Sequence, residues 1–342
     1  MMPLCGPPGI HGDSVAAVPA FPHRRLGRSE LQVSRIALGS WRTFERMPRQ
    51  AAEAVLAYAR EQGIDFLDDA RYDDESGTAP LRSGFSEVLF GELFRAVGWP
   101  RQEAIVSNKL WWEFWPGQTA VQELEQSLER MGFDQLDLLY SSTLPDAVPV
   151  PSAIEQIATT LATGRVRAWG VVNWSAHALH DGVREAAALG IPPPCAAQLP
   201  YSLVRTDWVE DPALTDALAA ADASLVPSAS LAGGALTGKY AAARAPGRLS
   251  AELDHPRLRS GLRVGAALGP LAQRLHTTPA TLAVAFTLCH PRTASTLVGA
   301  TAPRQLDDAI AAVALAGRLT ESDLDDLRAL AAGAAQSEPS EA

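Results

Sequence analysis

Eight short apolar runs recur along this chain roughly 35 residues apart, with amphipathic segments between them, and that alternation is the main limit on its fold. The runs are SRIALGSW (34–41), DFLDDA (65–70), EAIVSNKL (103–110), LDLLYSS (136–142), RAWGVVNW (167–174), CAAQLPYS (195–202), ASLVPSAS (223–230) and ASTLVGAT (294–301). Most are continuously apolar rather than alternating, as parallel strands covered on both faces require. DFLDDA and CAAQLPYS carry less of this signal.

The intervening segments bear helix punctuation. RQAAEAVLAYAREQG stops at Gly63 and TAVQELEQSLERMG at Gly132. SAIEQIATTLATG opens with Ser152 and Glu155 in capping-box spacing. DPALTDALAAA and TPATLAVAFTL each set a cap residue before a proline at the first helical position. Strand–helix units in this number predict a (β/α)8 barrel in one α/β domain over residues 22–332. A doubly wound sheet would want a glycine fingerprint after its first strand, and RIALGSWRTF has none. Residues 1–21, rich in Pro and Gly, and 333–342 read as a disordered leader and tail.

Composition narrows the partners. A net charge of −10 argues against a nucleic-acid or anionic-membrane partner, since both need a basic face. The leader lacks a basic region followed by an apolar stretch, and no apolar run reaches a membrane-spanning length. Cys5, Cys195 and Cys289 lie far apart with no CxxC pair, which fits a reducing cytoplasm rather than a disulfide framework or thiolate zinc site. His177 and His180 share a helix away from any strand end, so no metal site is indicated. Neither nucleic acid nor a membrane is expected as a partner.

Barrel chemistry sits at the carboxyl ends of the strands. Here those ends read Ser40–Trp41, Asp68–Asp69, Lys109, Ser141–Ser142, Asn173, Gln198, Ser228–Ser230 and Thr301. Sequential strand order brings Asp68 beside Lys109, with Tyr72 on the next loop. A lysine held by an aspartate and placed near a phenol favours the phenolate and lowers the tyrosine pKa toward neutrality, so the phenol can act as a general acid. A buried structural ion pair with a packing tyrosine has the same signature.

Lys109 is followed by Trp111, Trp112, Phe114 and Trp115. These tryptophans are candidates for the wall of a substrate pocket, or for plain packing. The loops after strands seven and eight often hold phosphate in barrels. Here they are SLAGGALTGKY, containing Leu231, Gly233 and Lys239, and GATAPRQLDD, containing Thr301, Arg304, Gln305 and Asp308. Arg304 and Lys239 would suit an extra phosphate, or be solvated surface charges.

These residues resemble the aldo-keto reductases, in particular the branch containing potassium-channel beta subunits. RRLGRSELQVSRIALGSW resembles that family's opening, and GIDFLDDARY…FSEVLFGELF its second strand, tyrosine loop and helix. IVSNKLWW resembles its lysine strand, ERMGFDQLDLLY its fourth unit, GRVRAWGVVNWS its fifth, and LTGKY and LVGATAPRQLDDAI its phosphate-binding end. The resemblance implies an extended NADP(H), no metal, and hydride transfer to a carbonyl. By it, Asp68, Tyr72 and Lys109 match three of the four catalytic residues, and Asn173 and Gln198 the amides holding the nicotinamide. Ser40, Trp41, Ser228, Leu231, Gly233 and Lys239 fall along the cofactor path. Thr301, Arg304 and Gln305 fall at the 2′-phosphate and Asp308 near the adenine.

The chain also departs from that pattern. Tyr72 follows Asp68 by four residues where five are usual, and the loop DDESGTAPLRSG is long. Ser142 replaces the family's histidine, as the channel subunits also lack it. Val172 stands where serine is common, and Ser228 where an aromatic stacks on the nicotinamide. The expected function is an NADP(H)-dependent reduction of a carbonyl or conjugated group on a bulky molecule, with Tyr72 as acid and Ser142 as auxiliary donor. A non-redox lyase, dehydratase or cyclase on the same residues, or a cofactor-binding regulatory subunit, fits the same departures.

Overall fold

A computed structural model of the chain describes residues 21–75, 77–240, 247, 249, 250 and 252–336. Two three-residue strands, β1 (His23–Arg25) and β2 (Gln32–Ser34), pair antiparallel as a hairpin. Then follow β3 (Ile36–Gly39), α1 (Arg49–Glu61), β4 (Phe66–Asp68), α2 (Phe85–Ala96), β5 (Ile105–Leu110), α3 (Ala120–Met131), β6 (Leu136–Ser141) and α4 (Val150–Ala162). The second half runs β7 (Val166–Val172), α5 (Ala176–Ala188), β8 (Ala196–Pro200), α6 (Pro212–Ala221), β9 (Ser224–Ser228), α7 (Arg259–Arg274), α8 (Pro279–Cys289), β10 (Thr296–Val298), α9 (Arg304–Ala316) and α10 (Glu321–Gln336).

Strands β3 to β10 form one parallel eight-stranded sheet in the order β10-β3-β4-β5-β6-β7-β8-β9. A parallel bridge from Leu225 to Thr293 joins its last strand to the chain entering β10. This is the expected (β/α)8 barrel, and each of the eight apolar runs contributes one of its strands.

Alternation along the strands sorts the core into two clusters. Ala37, Phe66, Leu138, Tyr140, Ala168, Ala196 and Val226 fill the barrel interior together with Leu26, Leu31 and Val33 of the hairpin. The hairpin therefore plugs the amino-terminal end. Leu38, Leu67, Val106, Leu139, Trp169, Val171 and Leu225 point outward and pack under the helices. Gly170 faces inward, where an added Cβ would meet Ala196 O at 2.6 Å and the Tyr140 ring at 2.9 Å. Only glycine leaves that ring its place.

Local signals succeeded unevenly. Thr119 and Gln122 form a full capping box at α3, and Gly132 ends that helix with a left-handed φ of 69°. Asp211 and Thr278 cap α6 and α8 as expected. Ser152 does not cap α4, which begins at Val150 after Pro149 and has no side-chain cap. Pro151 is favoured in a first turn, so the helix starts three residues earlier than a Ser152 cap would place it, and Ser152 lies inside it.

Both tail boundaries also move. Phe21 packs against the core and its carbonyl bonds His23 Nδ1 at 2.7 Å, so it belongs to the domain, whereas residues 1–20 of the leader lie outside the described residues. At the other end α10 runs to Gln336, with Leu330, Ala331 and Ala334 against the core. Residues 333–336 are thus helix rather than tail. Residues 337–342 lie outside the described residues.

Candidate active site

The inward alternation carries Asp68, Ser107, Lys109 and Gln198 to the top layer of the barrel, where they form one buried network. Lys109 Nζ donates to Asp68 Oδ2 at 2.7 Å, to the Asp69 carbonyl at 3.3 Å and to Tyr72 Oη at 3.1 Å. Ser107 Oγ (2.7 Å) and Gln198 Nε2 (3.2 Å) both donate to Asp68 Oδ1. Both carboxylate oxygens are therefore occupied and the aspartate cannot rotate away from the ammonium. Ser107, two residues before Lys109, was missed in the sequence. A polar residue at an inward position of an apolar strand was the available signal.

Tyr72 reaches this network through its loop. Ser86 Oγ donates to the Ala70 carbonyl at 2.6 Å and accepts from Tyr72 N at 3.2 Å, while Gly84 N donates to the Tyr72 carbonyl at 3.0 Å. A bridge between Asp73 and Ser83 and a bond from Asp74 N to Arg82 O fold the long insert back on itself. The shortened spacing from Asp68 is absorbed there.

The tyrosine's acidity runs against expectation. Burial pushes the Tyr72 phenol up, and although Lys109 pulls it down, Asp68 and Asp69 push it up further, so the pKa lies above its ordinary value of 10.0. Burial likewise opposes charge on Lys109, but Asp68 and Tyr72 outweigh it and the ammonium pKa is raised. The expected shift toward neutrality is therefore corrected, because desolvation of the phenolate exceeds the attraction of one already paired cation. The phenol stays protonated across the neutral range.

Asp69, the outward neighbour of Asp68, is fully buried. It accepts a hydrogen bond from Ser40 Oγ, and its Oδ2 has no partner among the described residues. Burial, with Glu87 adding repulsion, raises its pKa from 3.8 to about 8. Between these values the folded chain keeps a proton that the unfolded chain releases, so this group's contribution to stability is complete below 3.8 and declines up to about 8. Asp69→Asn is expected to flatten that decline, gaining up to roughly 4 kcal/mol on wild type between pH 5 and pH 8. Thermal melts at the two pH values measure it, and parallel wild-type and variant curves would refute it.

Two indoles flank the phenol. Trp41 and Trp111 have ring centroids 6.2 and 6.0 Å from that of Tyr72. Trp41 is 47% exposed and sits at the mouth beside the tyrosine. Trp112 is 3% exposed, packs against Trp115 and donates to Ser141 Oγ at 2.9 Å. It is core rather than pocket wall, because Trp111 and Trp112 turn opposite ways after the strand. Trp112's φ of 64° and two backbone bonds to the Glu123 carboxylate, at 2.8 and 3.4 Å, hold that turn.

Ser142 is buried at the end of β6, one inward step above Tyr140. Its carbonyl accepts from Trp174 Nε1 at 2.7 Å and Ser141 Oγ at 3.4 Å. Asn173 is exposed, with a left-handed φ of 58°, and its N–H donates to Gln198 O at 3.2 Å. Ser228 ends β9 half-buried.

At the opposite side of the mouth, Thr301 N (2.7 Å) and Oγ1 (3.3 Å) both donate to Gln305 Oε1. Arg304 is exposed in the first turn of α9, which has no side-chain cap. Asp308 accepts from the hydroxyls of Thr278 (2.7 Å) and Thr281 (3.1 Å), which ties α9 to the start of α8. The neighbouring loop, from Leu231 through Gly233 to Lys239, is joined to this region by Ser230 Oγ donating to Leu297 O at 3.2 Å. Gly233 and Gly234 take φ values of 69° and 102°, and among the described residues only the end of Lys239 approaches Gly234. The backbone is thus open to close approach by an extended ligand. The Lys239 ammonium rests 4.9 Å from the Tyr240 ring centroid. Uncapped helix N–H groups, an exposed arginine and an open glycine turn fit a dinucleotide phosphate.

Fold and site together define a (β/α)8 barrel with a buried Asp–Lys–Tyr network at its carboxyl end. The Aldo/keto reductase family model matches residues 35–332, and the chain belongs to that family. It is 28% identical over 326 residues to a probable voltage-gated potassium channel subunit beta of Oryza sativa subsp. japonica, covering 90% of this chain and 96% of that protein. It is 27% identical over 324 residues to a protein of the same description from Arabidopsis thaliana (89% and 95%). A putative one from Schizosaccharomyces pombe (strain 972 / ATCC 24843) is 27% identical over 318 residues (87% and 90%). No helix among the described residues is long and apolar enough to cross a membrane.

Proposed function

We propose that the protein is an NADP(H)-dependent reductase of a carbonyl or conjugated group on a bulky small molecule. The observation that carries this reading is the Lys109–Tyr72 contact of 3.1 Å within a fully partnered aspartate network. Bound NADPH would supply the hydride. Tyr72 Oη gives its proton to the oxygen on which negative charge develops, and Lys109 stabilises the phenolate left behind. Asp68 holds Lys109 charged and aimed, and Ser107 and Gln198 hold Asp68. Trp41 and Trp111 wall the approach to the phenol and suit a flat or bulky substrate. Asn173 would hold the nicotinamide, and Thr301, Arg304, Gln305 and Lys239 the phosphates.

A phenol that is protonated at neutral pH is loaded as an acid and poor as a base. Reduction should therefore vary little with pH around neutrality, and alcohol oxidation should rise toward alkaline pH.

The reading is tested by titrating NADPH and NADH against tryptophan fluorescence and then following hydride transfer. NADPH is expected to bind more tightly, by about tenfold or more, because a 2′-phosphate gains a charge-assisted hydrogen bond at Arg304. Arg304→Ala should narrow the gap. Equal affinities in the wild type would remove the cofactor preference. Binding without turnover on any carbonyl would favour a regulatory subunit, and no binding would favour non-redox chemistry.

A further inference from the structure

The amino-terminal end of the barrel, opposite the candidate active site, holds a cavity of about 550 Å³ between the hairpin and the starts of β9 and β10. Arg24, Arg25 and Arg292 line it, against one carboxylate, Asp222. In a chain of net charge −10 this positive excess runs against the overall balance.

The counter-charge is already divided. Asp222 lies 3.3 Å from Arg28 and 3.9 Å from Arg292. Arg24 and Arg25 form no ion pair among the described residues. Arg24 is nevertheless held in place, because its guanidinium donates to Thr293 O at 2.9 Å and to Pro291 O at 2.6 Å. Arg292 is fixed more loosely, through Ala223 O at 3.4 Å.

Behind the cavity Arg35 donates to the same Thr293 carbonyl as Arg24, so two guanidiniums share one acceptor. The crowding is felt locally. Burial and then Arg24 lower the Arg35 pKa, and burial lowers that of His290, where Arg292 and Arg24 add to the effect. An anion in the cavity would relieve this repulsion and leave the carbonyl bonds intact.

We propose that this cavity binds the phosphate group of a small phosphomonoester, held by Arg24, Arg25 and Arg292. Three guanidiniums less one carboxylate leave an excess of two positive charges, which a phosphate dianion matches. The planar fork of arginine suits phosphate oxygens, and two of the three forks are anchored through carbonyls before any ligand arrives. The space exceeds that of a bare phosphate and leaves room for an organic substituent.

The test is calorimetric titration with phenyl phosphate and with inorganic phosphate, at ionic strength held constant with sodium chloride. Wild type should bind phenyl phosphate saturably and more tightly than inorganic phosphate. Arg25→Ala and Arg292→Ala should each weaken binding about tenfold or more, and Arg184→Ala, on the exposed face of α5, should leave it unchanged. Arg25 is exposed, so its removal leaves the fold intact and the result interpretable should Arg292→Ala misfold. No saturable binding, or binding kept at full strength in both Arg25→Ala and Arg292→Ala, would overturn the proposal.

Discussion

Tyr72→Phe is expected to lower turnover about 10²–10⁴-fold while leaving NADPH affinity within a few-fold of wild type, since the lost group is a positioned general acid. The hydroxyl lies 3.1 Å from Lys109 Nζ, so phenylalanine removes the proton donor and keeps the ring between Trp41 and Trp111. Lys109→Met should abolish turnover to a similar degree. It also strips the ammonium from a buried Asp68, and breaking one side of such a pair costs about 3–5 kcal/mol. Lys109→Met with Asp68→Asn removes both charges and separates lost chemistry from lost stability. The double variant should fold near wild type and remain inactive. Full activity in Tyr72→Phe would show that the acid lies elsewhere.

The second large effect is a gain. A histidine at position 142 would place a hydrogen-bond donor over the oxygen that becomes negative during hydride transfer. One such donor is typically worth about 10²–10³ in rate. Serine is shorter, and reaching that oxygen through a water sacrifices preorganisation. Wild type should therefore reduce simple aldehydes feebly and conjugated or activated carbonyls better, with Ser142→His raising the rate on the simple aldehyde. The backbone at this position is held by Trp174 and Ser141, so the new ring starts from a fixed carbonyl. Ser228→Tyr added to Ser142→His controls for a nicotinamide too loosely held for the donor to matter. Brisk reduction of simple aldehydes by wild type, unchanged in Ser142→Ala, would make Ser142 only pocket wall.

Much of the barrel could be read from residue order. A parallel strand covered on both faces must be apolar along its length, and that property survives in any stretch of five or six residues, such as LDLLYS. A polar residue closing such a run marks the carboxyl end, as at Asp68, Lys109 and Gln198. Local capping chemistry was legible where one residue decides it, as at Asp211 and Thr278, and failed at Ser152, where Pro151 moved the helix start. The hairpin left no such mark, because its strands are three residues long and one of them is fully exposed.

What the sequence by itself determined was therefore the element order, the barrel and the ring of polar strand ends, all set by short-range periodicity. The tertiary structure alone decided that the Tyr72 hydroxyl meets Lys109, since that depends on Ser86 and Gly84 gripping a loop from across its insert. It decided that Trp111 faces the phenol while Trp112 enters the core, through a left-handed residue and the Glu123 carboxylate. It reversed the sign of the tyrosine shift and left Asp69 with a pKa of about 8. Burial is the reason in both cases: it is a sum over neighbours from many parts of the chain, and no local pattern of residues encodes it.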